Sequence, residues 1–310
     1  MAQLSLLDIA KLNSSDAVVG LIEESLKAAP EMAVFPARTI KGTSYKTVIR
    51  TGLPTAGFRQ VGAAITASKS SFTNKTVEAF SLGALLNVPK DVAKAYEDGV
   101  DRLKAIEAAG VIEAALRAVG KQVWYGTDAT HGNANGFPGA LQTYDSTNMV
   151  VDAGGTTATT GSSAWLVKFG DQHCKIVVGL NGDIELSDWR EETVSSVPNY
   201  VADLIGYVGC QFVNINGICR IKKLTADSGK GLTDALIAEA LSKFPTGTVP
   251  DAIFCSRRSR MELQKSRTVV LNGPTKQADG MSIIAEVPTD SMDIPIHVTD
   301  QIADTEALTL

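Results

Sequence analysis

Apolar residues recur three or four positions apart from Pro89 to Tyr125, at Val92, Tyr96, Val100, Leu103, Ile106, Ile112, Leu116, Val119 and Val123. That spacing predicts one long amphipathic helix. Pro89 suits the first turn, where its missing N–H is no loss, and Asp91 sits beside the positive helix end. Gly126 follows the last periodic residue, where a left-handed cap is commonly glycine. The 37 residues would span about 55 Å at the standard helical rise. A compact domain of this size is only about 40 Å wide. The helix is therefore expected to cross the whole molecule, with Gly99, Gly110 and Gly120 marking close packing or a bend.

Before it, residues 1–29 read as a helix-rich arm, with Leu4, Leu7, Ile9 and Leu12, then Val18, Leu21, Ile22 and Leu26, at helical spacing. Pro30 and Pro36 break that pattern. From Lys41 the period changes to two, Tyr45, Thr47 and Ile49 alternating with Lys46, Val48 and Arg50. Glycines and Pro54 interrupt it, and a Ser/Thr-rich return leads to a second strand at about Val77 to Leu86. The expectation is a long two-stranded hairpin with a mobile tip, too poor in large apolar residues to fold alone.

After the helix come Trp124-Tyr125-Gly126-Thr127-Asp128, a polar loop and Gly136-Phe137-Pro138-Gly139-Ala140-Leu141. Asp152 to Ser163 reads as a linker, Ala164 to Gly170 and Lys175 to Leu180 as short strands, and Tyr207 to Lys223 as one long strand or two. Leu232, Leu236, Ile237, Ala240, Leu241 and Phe244 form an amphipathic stripe. Asp251 to Ser256 reads as a buried strand, Arg257 to Ser266 as a basic helix, and Ile294 to Asp300 as a final strand.

Composition adds bounds. The 310 residues fit one large domain or two, and 44% hydrophobic with 20% charged residues is ordinary for a globular chain. No apolar run near the long helix approaches a membrane span, and Met1 to Ala10 lacks a basic leader and a cleavage site. Cys174, Cys210, Cys219 and Cys255 lack C-x-x-C spacing and read as buried free thiols. The net charge of −5 is unevenly spread. Arg38, Lys41, Lys46, Arg50, Arg59, Lys69 and Lys75 give the acid-free stretch between Met32 and Val77 a charge of +7, while Asp279, Glu286, Asp290, Asp293, Asp300, Asp304 and Glu306 give Gln277 to Leu310 a charge of −7. Opposite blocks in one chain suggest nucleic acid, or further copies of the chain, as partners.

Reactive constellations are missing. His131, His173 and His297 have no second His or Cys at ligand spacing and read as turn or strand residues, so no metal or cofactor is expected. Ser228-Gly229-Lys230-Gly231 fails the phosphate-loop pattern, with Leu224 at the first required glycine and Gly231 in place of Ser/Thr. Glu185, Asp188, Glu191 and Glu192 read as a solvated face. Arg257, Arg258 and Arg260 have no aromatic residue among them for base stacking and read as a surface making protein contacts.

A long helix closing on Trp124 to Asp128 and returning through Gly136 to Leu141 resembles the spine helix and exit of tailed-bacteriophage major capsid proteins of the Hong Kong 97-type fold. The charged hairpin stands where that family has its E-loop, and Cys255-Ser256, the Arg-rich helix and Ile294 to Asp300 resemble its axial domain. The resemblance covers about Lys41 to Glu306 and implies an α+β fold. It divides the chain into an arm (1–40), hairpin (41–86), spine and exit (87–145), peripheral strands (146–224) and axial domain (225–310). In the common arrangement the axial segment follows the spine and peripheral strands come last, so the order here implies a possible permuted connectivity. On that reading Ala164 to Leu224 should stay outside the sheet that holds Ile253 and Val298.

The resemblance implies a shell protein, not an enzyme. It would self-assemble into the hexamers and pentamers of an icosahedral phage head around double-stranded DNA, without sequence-specific binding and without a membrane. A separate scaffolding protein, a portal and a possible decoration protein are the implied partners, with assembly in the host cytoplasm. An encapsulin-like nanocompartment shell is the alternative within the fold; a cytosolic enzyme and a nucleic-acid-binding module are the alternatives outside it. In the family the hairpin lies over a neighbouring spine, so the expected assembly contacts are Lys46, Arg50 and Arg59 against Glu97, Asp98 and Asp101, or against the Asp183 to Glu192 cluster.

Overall fold

The computed structural model describes residues 4–13, 27–145, 147–194, 196–267, 269–270, 282–283 and 285–308. Val18, Leu21, Ile22 and Leu26 of the expected arm, and Asp279 of the acidic block, lie outside them. The chain begins with helices α1 (Leu6–Asn13) and α2 (Glu31–Val34), then strands β1 (Ala37–Thr39), β2 (Ser44–Gly52), β3 (Ser71–Glu78) and β4 (Phe80–Pro89). Helices α3 (Lys90–Lys94), α4 (Val100–Tyr125) and α5 (Ala140–Tyr144) follow. Next come β5 (Val150–Asp152), β6 (Ser162–Val167), β7 (Cys174–Val178), β8 (Ile184–Leu186), β9 (Arg190–Val194), β10 (Val197–Phe212) and β11 (Ile218–Leu224). The last part holds α6 (Asp234–Ser242), β12 (Ala252–Cys255), α7 (Arg257–Arg267), β13 (Val269–Val270), β14 (Ser282–Ile283), β15 (Asp290–Ser291) and β16 (Ile294–Val298).

The spine is shorter than its apolar stripe. Gly99 takes φ +93°, a left-handed value that a helix cannot accommodate. It splits the expected 89–125 helix into five-residue α3 and 26-residue α4, the latter about 39 Å long. The end of α1 seals this break: Asn13 donates from Nδ2 to the Ala95 carbonyl at 2.8 Å and accepts the Glu97 N–H at 3.0 Å. Ile9 then joins Val88, Ala93, Tyr96 and Leu103 in a small core over the junction.

The far end of α4 closes on a loop held by two glutamines. Gln122 donates to the Phe137 carbonyl at 2.7 Å and accepts the Asn133 N–H at 3.1 Å. Gln142 donates to the Tyr125 carbonyl and accepts the Gly139 N–H. This brings Gly126 and Gly139 backbone to backbone, so that a Cβ on Gly126 would lie 2.0 Å from the Gly139 nitrogen. The glycines at both ends of the sequence return are therefore a packing requirement.

Two six-stranded sheets pack on the spine. In the first, the order is β1-β7-β10-β4; one edge of β10 pairs with β4, and the other meets β9, β8 and β7 in turn. The second runs β15-β16-β12-β6-β11-β5. Every residue of β6 and β12 is buried, because both faces of their sheet are covered. Trp165, Val167, Ala252 and Phe254 point toward the spine end and the first sheet, while Ala164, Leu166, Ile253 and Cys255 point toward α6 and α7.

These pairings correct two expectations. Trp165 faces Phe254 across β6 and β12, and Phe254 faces His297 in β16, so β6 and β11 of the Ala164 to Leu224 block share a sheet with Ile253 and Val298, while β7 to β10 of the same block lie in the first sheet beside the spine. The separate-sheet arrangement expected from a permuted order therefore does not occur. The chain instead passes between the sheets repeatedly, β5 and β6 in the second, β7 to β10 in the first, β11 in the second again. The Ser/Thr-rich return is itself strand β3, paired with β2 from Ser44↔Glu78 to Gly52↔Ser71, while the stretch expected to pair with β2 is largely β4, which pairs with β10.

One face of β11 carries a buried charge. Arg220 is 1% exposed and lies 5.2 Å over the Trp165 ring. Its guanidinium reaches Asp145 at 2.6 Å, Ser163 Oγ at 3.0 Å and Glu306 at 3.1 Å. Tyr125 donates to Glu306 at 2.6 Å and accepts the Ala303 N–H at 2.7 Å, fastening the C-terminal segment to the spine. Burial, then the Glu306 carboxylate, push the Tyr125 phenol well above its usual range, which keeps it a donor. Removing one partner of such a pair leaves the other charge buried and uncompensated. Arg220→Ala is therefore expected to lower the unfolding free energy by about 3–5 kcal/mol, and adding Glu306→Gln should recover part of it. Urea denaturation followed by tryptophan fluorescence measures both; an unchanged midpoint for the single variant would contradict the assignment.

Candidate assembly surfaces

The hairpin β2–β3 is anchored only at its base. Tyr45 donates to Gln211, Lys75 to the Phe212 carbonyl, and Ala79 N–H to the Thr43 carbonyl at 2.8 Å. Arg38 lies 4.8 Å over the Tyr45 ring, and Ile40, Val77 and Val177 form a small apolar cluster beneath. Nine residues of β2 extend about 30 Å from this base. Phe58 and Val61 at the tip are 112% and 105% exposed, so none of the described residues covers them, and Leu53 and Ile65 are largely bare as well.

The expected contact residues fall into two separate groups. Lys46 and Arg50 share the exposed face of β2, Arg50 lying 5.5 Å over the Phe72 ring, and Arg59 sits at the tip, donating to the Ala63 carbonyl. Among the described residues, no ion pair joins any of the three to an acid. Glu97, Asp98 and Asp101 lie together and exposed at the α3–α4 break. Glu97 and Asp98 thus stand beside the spine rather than on it. Asp98 is 3.4 Å from Arg102, and Asp101 is 3.8 Å from Lys104. The Asp183 to Glu192 cluster occupies the β8–β9 strip, where Lys90 holds the Glu191 carboxyl below its usual range. Within one chain the basic group meets neither acidic group.

A surface not foreseen in the sequence lies along the middle of the spine. Ile112 and Leu116 are 46% and 37% exposed and face Met32, Leu82, Leu186 and Leu204 across an open apolar groove of about 250 Å³. In the sequence these two spine residues are indistinguishable from core. The only signal was a stripe longer than one buried contact needs.

The remaining reactive candidates are structural. Asp227 accepts from Thr156, Thr157 and Thr225, which hold its carboxyl well below the usual range, and the Thr225 N–H donates to the Lys230 carbonyl, so the 225–231 loop closes on itself. Arg257 pairs with Asp300, and Arg258 lies 3.4 Å from Glu262 and 3.5 Å from Asp304. Among the described residues no cluster of His, Cys, Asp or Glu could hold a metal ion. No helix among them is long and apolar enough to cross a membrane.

The mixed α+β fold, with two sheets and a hairpin on a long helix, is that of Hong Kong 97-like phage capsid proteins. Its similarity to the structure of bacteriophage Epsilon15 covers 99% of this chain and 98% of that one, at 16% identity and a TM-score of 0.68. The SrpI encapsulin of Synechococcus elongatus PCC 7942 matches 74% of this chain and 98% of its own at 8% identity and a TM-score of 0.50. The capsid of Myoviridae phage XM1 matches 68% and 97% at 12% identity, with a TM-score of 0.49. No curated protein matches the chain. The sequence model of the family described as major capsid protein GP7 matches residues 13–203, more than half of the chain, which therefore belongs to that family. It is a structural shell protein of the virion and not an enzyme.

The four cysteines are free and buried. Burial pushes the thiols of Cys174, Cys219 and Cys255 up to about 12. At pH 8 only about one in 10⁴ of each would be thiolate. A native sample is expected to leave all four unlabelled by a thiol reagent over minutes, with four equivalents reacting after denaturation; rapid native labelling would disprove their burial.

Proposed function

We propose that copies of this chain close into the hexamers and pentamers of an icosahedral head that encloses double-stranded DNA without sequence-specific binding. On this reading assembly takes place in the host cytoplasm on a separate scaffolding protein, with a portal at one vertex and, where present, a decoration protein outside. The β2–β3 hairpin acts as the E-loop, residues 1–40 as the arm and 87–145 as spine and exit; the first sheet serves as peripheral unit and the second as axial unit.

The observation that carries this reading is the unpaired tip and groove. The tip stands about 30 Å from its base. We assign its cover to another copy. Leu53, Phe58, Val61 and Ile65 of one copy would lie along the groove of the next, between Leu116 and Leu204. Each copy has one tip and one groove, so the contact is head-to-tail and closes into a ring when its rotation allows. Charge favours the same arrangement. The stretch between Met32 and Val77 carries no acid, while Glu97, Asp98 and Asp101 lie exposed at the α3–α4 break and Asp183 and Glu185 flank Ile184 on the strand side of the groove. A single exposed pair contributes about 1 kcal/mol or less and is screened beyond about 8–10 Å, so register comes from many repeated pairs.

An encapsulin-like compartment is the second reading, favoured by the SrpI likeness; particles that package protein instead of DNA would select it. Negative-stain microscopy and sedimentation velocity test the proposal. With its scaffold, the wild-type chain should give closed shells, more slowly as salt rises. Arg50→Glu with Arg59→Glu, and separately Phe58→Ser, should leave the far-ultraviolet circular dichroism unchanged and block shell formation. Normal shells from the charge pair would remove the basic hairpin from the contact. A wild-type chain that stays monomeric at high concentration with scaffold would refute the function itself.

A further inference from the structure

Glu31 is a buried carboxyl that no assembly contact accounts for. It is 0% exposed, at the start of α2, just where the N-terminal segment meets the spine. Its Oε1 accepts the Trp124 Nε1–H at 2.8 Å and the Thr299 hydroxyl. Its Oε2 is buried without a hydrogen-bond partner, and no cation pairs with it among the described residues. A Cβ on Gly120 would lie 2.8 Å from that oxygen, so the helix backbone presses directly on the carboxyl.

The same junction ties the chain twice more. Ala28 N–H donates to Asp300 at 2.7 Å, and Asp300 N–H returns to the Ala28 carbonyl at 3.0 Å. The groups facing Glu31 are Gly120 and Trp124 from the spine and Thr299, Asp300 and Gln301 from the C-terminal segment. Asp300 alone carries charge among them, and Arg257 and the Ala28 N–H share it. His297 is one ring removed, stacked on Phe254, which packs on Trp124.

We propose that Glu31 is a proton-operated latch for the N-terminal segment. As the neutral acid it fastens residues 27–35 to the spine and to residues 299–301; ionised, it releases them. An unpaired carboxylate in an apolar site is far costlier than a neutral carboxyl, and only opening would return it to water. Burial raises the Glu31 carboxyl above its ordinary value of 4.5, by more than the Thr299 and Trp124 hydrogen bonds lower it, and Asp300 raises it further. A raised folded value means stability that is full below pH 4.5 and is lost as pH rises through the folded value. The latch therefore opens toward neutral and alkaline pH. That direction is opposite to acid unfolding.

Hydrogen exchange of the full unassembled chain tests this whether or not shells form. With intrinsic exchange rates corrected for, opening of residues 27–35 should grow with pH above pH 4.5, by at most about ten-fold per pH unit, and then level off, at most one proton being released per opening. Glu31→Gln keeps the acceptor for Trp124 but cannot ionise, so its exchange should be slow and flat with pH. Asp300→Asn keeps the acceptor for Ala28 and removes the neighbouring charge, so the levelling-off should move to lower pH. A flat wild-type profile, a pH slope that persists in Glu31→Gln, or an unmoved levelling point in Asp300→Asn would each overturn the latch.

Discussion

Two adjacent residues at the end of the spine, Trp124 and Tyr125, hold the chain together from both directions. Trp124 donates to Glu31 in the first part of the chain, and Tyr125 donates to Glu306 in the last. Neighbouring helix residues point about 100° apart, so one turn of helix serves both termini at once. Trp124 also stacks on Trp165 at 5.7 Å and touches Phe254 at 5.0 Å, which ties the second sheet to the same turn. Aromatic pairs of this kind contribute about 0.5–1.5 kcal/mol beyond their buried area. The two glutamine clamps hold the following loop against the same turn.

This arrangement concentrates the fixed part of the molecule at one end of α4. Its last seven residues include six that are buried, whereas Ile112 and Leu116 in the middle remain half open. The hairpin is likewise tied down only at its base. A subunit built this way leaves apolar surface that its own core does not reach. Such surface favours association, since burying it recovers about 25 cal/mol per Å². Weak contacts of this kind become decisive when closed symmetry repeats them.

The buried polar groups divide into two kinds. Arg220 and Glu306 are a satisfied pair, with Ser163, Asp145 and Tyr125 filling the remaining positions, and they fix one arrangement of the C-terminal segment. Glu31 has one of its two carboxyl oxygens satisfied, and no cation pairs with it among the described residues. In a low-dielectric site the first arrangement is stable in its ionised form and the second only in its neutral form. Chemically similar side chains thus make one junction permanent and the other conditional.

Local spacing alone determined the helix at 100–125, the β2 alternation, the buried strand around Ile253 and the closing loop between Gly126 and Gly139, because each depends on neighbours a few residues away. The same residues carried the likeness to a capsid protein. Spacing did not reveal the break at Gly99, since an apolar stripe continues unchanged across a backbone that turns left-handed. It did not assign β3 to the hairpin either, because Ser71 to Lys75 lack apolar alternation and are held by pairing with β2. Strand partnership across the sheets was out of reach for a stronger reason. The hydrophobic runs at Ala164 and Ile253 state that both faces are covered but not by what. Only the tertiary structure brought Trp165 beside Phe254, and Glu31 and Glu306 to one turn of helix, because those meetings join residues between about 90 and 180 positions apart, whose sequences carry no mark of each other.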